Sequence, residues 1–138
     1  MDPAPQQDTR LGPALEALAQ ADPALGRAYQ ACGLPPVRKA EAGFGGLVNM
    51  IAAQQLSKEA AGAIVQRIRA RLDPLTPEAF LQLDEHEART LGLSRPKYRY
   101  LTGLAEQAAS GALDFDWLAG QDDDTVLKHL TAQKGVGV

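Results

Sequence analysis

Cysteine is almost missing from this sequence, with Cys32 the only one in 138 residues. A lone cysteine forms no internal disulfide. Beside it stand only His86 and His129, so no Cys/His cluster offers zinc-ligand spacing. The two histidines lie far apart among polar neighbours and read as surface residues. Aromatics are scarce too, at 5% of the chain. The apolar 45% is mostly Ala and Leu, a mixture that favours helices over strands. No apolar run approaches the ~20 residues of a membrane span. The start, Met1 to Arg10, is polar and lacks the apolar centre of a signal peptide. These absences lead us to expect a soluble cytoplasmic protein that binds no membrane, no metal and no cofactor. A basic excess is missing as well: 14 Lys and Arg face 17 Asp and Glu, for a net charge of −3. Any nucleic-acid binding must therefore come from a local site and not from bulk charge.

Period-two alternation and sequence repeats are also absent, and what remains is helical patterning. The length fits one domain, with residues 1–10 read as a disordered start and 11–138 as a helical domain. Leu11, Leu15 and Leu18 recur at helical spacing. Asp22-Pro23 then caps and opens a second helix, which Gly33 ends. Phe44, Leu47, Val48 and Ile51 form one apolar stripe, predicting a helix over about 45–53. Ser57 caps a following helix whose buried face is Ala61, Ile64, Val65, Ile68 and Leu72. Further starts stand at Thr76-Pro77-Glu78, Asp84 with Glu87, Ser94, Asp114, and Asp122 to Asp124. The expected fold class is all-α, with about eight short helices.

Two motifs carry chemistry. Lys134-Gly135-Val136-Gly137 lies at the end of the last helix. Glycines on either side of one apolar residue let the backbone turn sharply and approach a ligand with no Cβ in the way. Val136 would point inward as an anchor, the turn amides outward as a nest for one phosphate, and Lys134 would add a charge beside it. Taken locally, the pattern also fits a plain helix-ending turn. The second motif is Gln54-Gln55-Leu56-Ser57. Two amides there could read or replace a base edge, and Leu56 could wedge into a base stack. The alternative is a polar helix-ending turn with Leu56 in the core. Tyr98 and Trp117 read as core residues. Arg95, Lys97 and Arg99 read as a solvated face in preference to a phosphate contact.

In chain order stand Phe44-xx-Leu47-xxx-Ile51-xx-Gln54-Gln55-Leu56-Ser57, Leu91-Gly92-Leu93-Ser94-xx-Lys97 and Leu130-xxx-Lys134-Gly135-Val136-Gly137. Together they resemble the helix–hairpin–helix DNA glycosylases of the 3-methyladenine glycosylase II branch, over roughly residues 41–138. The Gln-Gln-Leu-Ser element is the branch-specific part. Gly-Val-Gly is shared with many DNA-binding hairpins. The resemblance implies a base-excision repair enzyme that flips an alkylated purine, such as 3-methyladenine or 7-methylguanine, and hydrolyses its N-glycosidic bond. Its partner would be double-stranded DNA bearing alkylated bases, and the full-length form would be a monomer at the bacterial nucleoid. Gln55 or Leu56 would fill the gap left by the flipped nucleotide, with Gln54 supporting the loop. Lys134, Gly135, Val136 and Gly137 would hold the backbone of the damaged strand.

The sequence departs from the family pattern in one respect. The family's essential aspartate, which stabilises the cationic sugar, lies after the hairpin, beyond Val138. Asp122, Asp123 and Asp124 precede the hairpin and read as a helix cap, so no catalytic residue is assigned here. The chain is accordingly read as truncated at the hairpin and inactive by itself. The lysine that marks lyase-competent relatives, and the cysteines of an iron–sulfur cluster where relatives carry one, would also lie past that point. Two other readings of the residues are a non-enzymatic DNA-binding module and a helical protein-interaction domain.

Overall fold

The computed structural model describes residues 6–38 and 40–137. They fold into nine α-helices and one short 3-10 turn, one helix more than the approximate count from patterning. No named strand occurs among the described residues. The only extended pairing there is an isolated bridge between Gln7 and Pro36. The chain divides into two compact units, Met1–Ala40 and Glu41–Val138, so the division falls inside the stretch read as one domain.

The first unit holds the turn Thr9–Leu11 and helices α1 (Gly12–Ala21) and α2 (Pro23–Cys32). Asp22 alone links the helices, and its carboxylate accepts the Ala24 amide at 2.7 Å as the sequence led us to expect. Of the start read as disordered, residues 1–5 lie outside the described residues. Residues 6–10 carry the Gln7 bridge and two backbone bonds, Asp8 N to Pro35 O and Val37 N to Gln6 O. Asp8 is buried, and Arg10 donates three hydrogen bonds to its carboxylate, from its amide, Nε and Nη2.

The second unit contains α3 (Gly43–Ala53), α4 (Lys58–Arg71), α5 (Pro77–Leu81), α6 (Glu85–Leu91), α7 (Arg95–Ala109), α8 (Phe115–Ala119) and α9 (Asp123–Thr131). Side-chain oxygens of Ser57, Thr76, Asp84, Ser94, Asp114 and Asp122 each accept an amide of the helix they precede, which accounts for six of the seven starts. Helix α3 has no such cap. Its first turn instead lies against the backbone of Glu41. A Cβ on Gly46 would stand 2.1 Å from the Glu41 carbonyl oxygen, so only glycine fits.

Phe80 is completely buried in the core of this unit. Its ring meets Phe44 edge-on at 5.8 Å and lies 6.2 Å from Tyr98. Val48, Ile51, Ile68, Leu101 and Leu104 are buried in the same cluster, and Tyr98 donates its hydroxyl to the Leu83 carbonyl at 2.7 Å. Each such side chain contributes on the order of 1.5–3 kcal/mol by leaving water. The core fixes α3 and α7 against one another, and that packing positions the loop after α3.

Trp117 departs from its expected place in the core, since it is 45% exposed. Helix α8 is only five residues long, and Phe115 and Leu118 take its inward positions. Trp117 falls between them on the outer side, where its ring rests 5.0 Å from that of His129.

Candidate nucleic-acid interface

Helix α3 stops at Ala53, and the four residues of the Gln-Gln-Leu-Ser motif turn away from the core. Gln54, Gln55, Leu56 and Ser57 are all exposed. Leu56 is 43% exposed, which removes the alternative of a leucine tucked into the core. Gln55 has φ +60°, the only positive φ outside glycine among the described residues. A side chain in that region costs on the order of 1 kcal/mol, a strain found most often where a loop must present a particular face. The Leu56 amide bonds the Ala53 carbonyl at 3.1 Å. Ser57 accepts the Ala60 amide at 3.2 Å, so the loop is pinned at both ends.

The Lys134-Gly135-Val136-Gly137 motif follows shortly after the end of α9 at Thr131. Its turn is closed by a bond from the Val136 amide to the Gln133 carbonyl at 3.2 Å. Val136 packs against the core, whereas Lys134 and Gly137 are exposed. Gly135 has φ +89°, and a Cβ there would lie 2.6 Å from the Tyr100 ring. The aromatic face of α7 therefore dictates glycine twice over, by backbone conformation and by space. Beside this turn opens a cleft of about 500 Å³, flanked by the cations of Arg99 and Lys134.

These two motifs meet. The side-chain Nε2 of Gln54 donates to the Gly135 carbonyl at 2.9 Å, across 81 positions of sequence. A further contact was not expected. Lys97 does not join a solvated face; its Nζ donates to the carbonyls of Ala52, at 2.8 Å, and Gln54, at 2.7 Å. Partial burial pushes its pKa below the usual lysine value. The signal for this was in the spacing. Lys97 is in line with the buried Leu101 and Leu104 at i, i+4 and i+7, so its stem follows the apolar stripe of α7. Arg95, by contrast, pairs with Glu85, and Arg99 is exposed.

Asp122 accepts the Thr125 amide, which holds its carboxyl below the ordinary carboxylate range and confirms a capping role. Among the described residues, every hydrogen-bonded Asp and Glu side chain has partners outside both the loop and the hairpin.

The HhH-GPD superfamily of base excision DNA repair proteins matches residues 48–136, and the chain belongs to that family. Among solved structures, a DNA-3-methyladenine glycosidase from Bacillus halodurans is similar at 32% identity and a TM-score of 0.74, over 91% of this chain. A Schizosaccharomyces pombe 3-methyladenine DNA glycosylase in complex with abasic DNA is similar at 28% identity and a TM-score of 0.80, over 90% of this chain. A 3-methyladenine DNA glycosylase from Archaeoglobus fulgidus, at 18% identity and a TM-score of 0.66, shares the fold. The chain spans 58% of the Bacillus protein and 64% of the yeast one. Comparison with curated proteins gives no match. No helix among the described residues is long and apolar enough to cross a membrane.

Proposed function

We propose that this chain supplies the DNA-gripping and gap-filling half of a base-excision repair glycosylase that hydrolyses the N-glycosidic bond of alkylated purines. The observation that carries this reading is the bond from Gln54 to Gly135, which sets the Gln54–Ser57 loop and the Lys134–Gly137 hairpin side by side. A base can be attacked at its glycosidic bond only after leaving the stack. Removal needs one element to hold the strand and another to occupy the hole. The hairpin would grip a phosphate of the damaged strand. Leu56 or Gln55 would enter the gap, with Gln54 supporting the loop. The Bacillus and yeast neighbours support 3-methyladenine as the substrate, and 7-methylguanine belongs to the same chemistry: each base carries a positive charge and leaves readily.

Duplex DNA with alkylated bases would be the partner, bound by a monomer at the nucleoid. Departure of the base generates a cationic sugar, which a carboxylate must face. Among the described residues no hydrogen-bonded carboxylate has a partner in the loop or the hairpin, and residues 1–138 by themselves should leave methylated DNA intact. The test is base release from methylated duplex DNA by residues 1–138 and by the full open reading frame that contains them. Release of 3-methyladenine by the longer form alone supports the proposal. If neither form releases a base, the activity is refuted, and a DNA-binding role remains. Release by residues 1–138 at a comparable rate refutes the inactivity of this portion.

A further inference from the structure

Lys97 stands on α7, and the loop it touches follows α3; nothing in the local sequence of either requires the other. Its ammonium group donates to two carbonyls at the C-terminal end of α3, those of Ala52 and Gln54. Carbonyls at a helix end lack intrahelical partners, and a cation is the strongest donor available to them. Gln54 is held from both sides, since its own Nε2 reaches the Gly135 carbonyl. Gly135 in turn lies on the Tyr100 ring, one turn of α7 beyond Lys97. A closed circuit results: α7 holds the loop through Lys97, the loop holds the hairpin through Gln54, and the hairpin rests on α7 through Tyr100.

We infer that Lys97 is a positioning residue, which acts through Gln54 to lock the gap-filling loop onto the phosphate-gripping hairpin. The inference rests on the glycosylase reading of those two elements. Its physical content is preorganisation. Gln55 sits in a left-handed conformation, which is disfavoured for a free tetrapeptide, and the loop holds Leu56 outward beside it. Without an anchor on the Gln54 carbonyl, the loop would relax and its ordering would have to be repeated at each binding event. Phosphate contact by the hairpin and insertion by the loop would then become independent events. The loss would fall on DNA that has a gap to fill, not on intact duplex, which offers the loop nothing.

The test compares affinities for a duplex containing one abasic position and for the same duplex intact, measured by fluorescence anisotropy on residues 1–138. A 2-aminopurine beside the abasic position reports insertion. The unaltered chain should prefer the abasic duplex. In Lys97→Met, which keeps the stem and removes the donors, that preference should fall by at least about tenfold, the scale of a lost charge-assisted bond. Its affinity for intact duplex should change less than about twofold, and the 2-aminopurine signal of the complex should fall. Lys97→Arg, which restores charge and donors, should recover part of the preference. A folded Lys97→Met that retains full preference overturns the positioning role and leaves the glycosylase reading standing. If Lys97→Met fails to fold, Gln54→Ala decides. It removes an exposed side chain and only the bond to Gly135, and an unchanged preference in it overturns the coupling. If the unaltered chain shows no preference for the abasic duplex, the reading of the loop itself falls, and this inference with it.

Discussion

The two units are both helical, yet their helices bury very different amounts of themselves. In Glu41–Val138, seventeen side chains from α3 to α8 close into one core. In Met1–Ala40, neither α1 nor α2 has a buried residue. Leu11, Leu18 and Leu25 are 42%, 47% and 46% exposed. The smaller unit is held instead by its ends and its turn: the bridge from Gln7 to Pro36, the Asp8–Arg10 pair and the Asp22 cap. Two helices have only one face to offer each other, so a stripe wider than that contact stays in water. In the larger unit α3 to α8 each find partners for a buried face, while α9 has no buried residue and Met50 and Leu127 stay exposed. Burial thus depends on the number of partners a helix finds, and the strength of its own pattern does not decide it.

The largest effect should come from the centre of the larger unit. Phe80→Ala removes a fully buried ring with two aromatic neighbours and should cost about 3–5 kcal/mol. Urea denaturation followed by circular dichroism reads it directly. A loss below about 1 kcal/mol would mean that the core is not close-packed around Phe80, and the contrast between the units would weaken.

Next is the hairpin, where the larger unit also dictates backbone conformation. Gly135→Ala faces both a positive φ and the Tyr100 ring. It should cost about 1–3 kcal/mol locally and weaken binding to any DNA duplex, because the turn that meets phosphate is displaced. Gly137→Ala, with open space at its Cβ, should be milder in both respects. Equal effects at the two glycines would show that Tyr100 does not shape the turn.

How much of this was legible in the sequence follows from the same contrast. The helix starts could be read because a cap is local chemistry: Ser57, Thr76, Asp84, Ser94, Asp114 and Asp122 each need only an amide two or three residues on. The apolar stripes could be read for the same reason. Whether a stripe is covered is a tertiary fact, and Leu18 and Ile68 look alike in periodicity. Trp117 was misplaced because a five-residue helix shows too little of its period to tell its inner side from its outer. The members of the candidate interface were visible as motifs, but the bond that joins Gln54 to Gly135 spans 81 positions and no local rule contains it. Lys97 was read by its charge, and its place in line with Leu101 and Leu104 was the better guide.

Caps offer a comparison in which the units should agree. Thr76→Ala in the larger unit and Asp22→Ala in the smaller one each remove a single acceptor from a helix start. Each should cost about 1 kcal/mol of local stability, measured by amide exchange in the first turn of the helix that follows. A cap whose loss is felt only in the larger unit would mean that the core, and not the cap, sets that helix start. Acid should separate the units again. The Arg10 guanidinium holds the Asp8 carboxyl below its ordinary range. A depressed carboxylate contributes stability above its unfolded pKa and loses it as pH falls through the lower, folded value. The backbone bonds of Asp8 and Val37 should therefore exchange faster below the ordinary carboxylate range. The amides around the fully buried Phe80 should hold longer.

The smallest effect tests the contrast most directly. Leu18 occupies the stripe of α1 at the same spacing that Ile68 occupies in α4, but is 47% exposed where Ile68 is fully buried. If periodicity itself conferred stability, Leu18→Ala and Ile68→Ala would cost alike. If burial confers it, Ile68→Ala should cost about 2–5 kcal/mol, and Leu18→Ala should stay within about 0.5 kcal/mol, the range of a surface change. Alanine is also the better helix former, so its propensity offsets part of what little contact is lost. A Leu18→Ala cost above about 2 kcal/mol in denaturant titration would show that the leucine is covered in solution, and the smaller unit would then have to be counted among the molecule's packed regions.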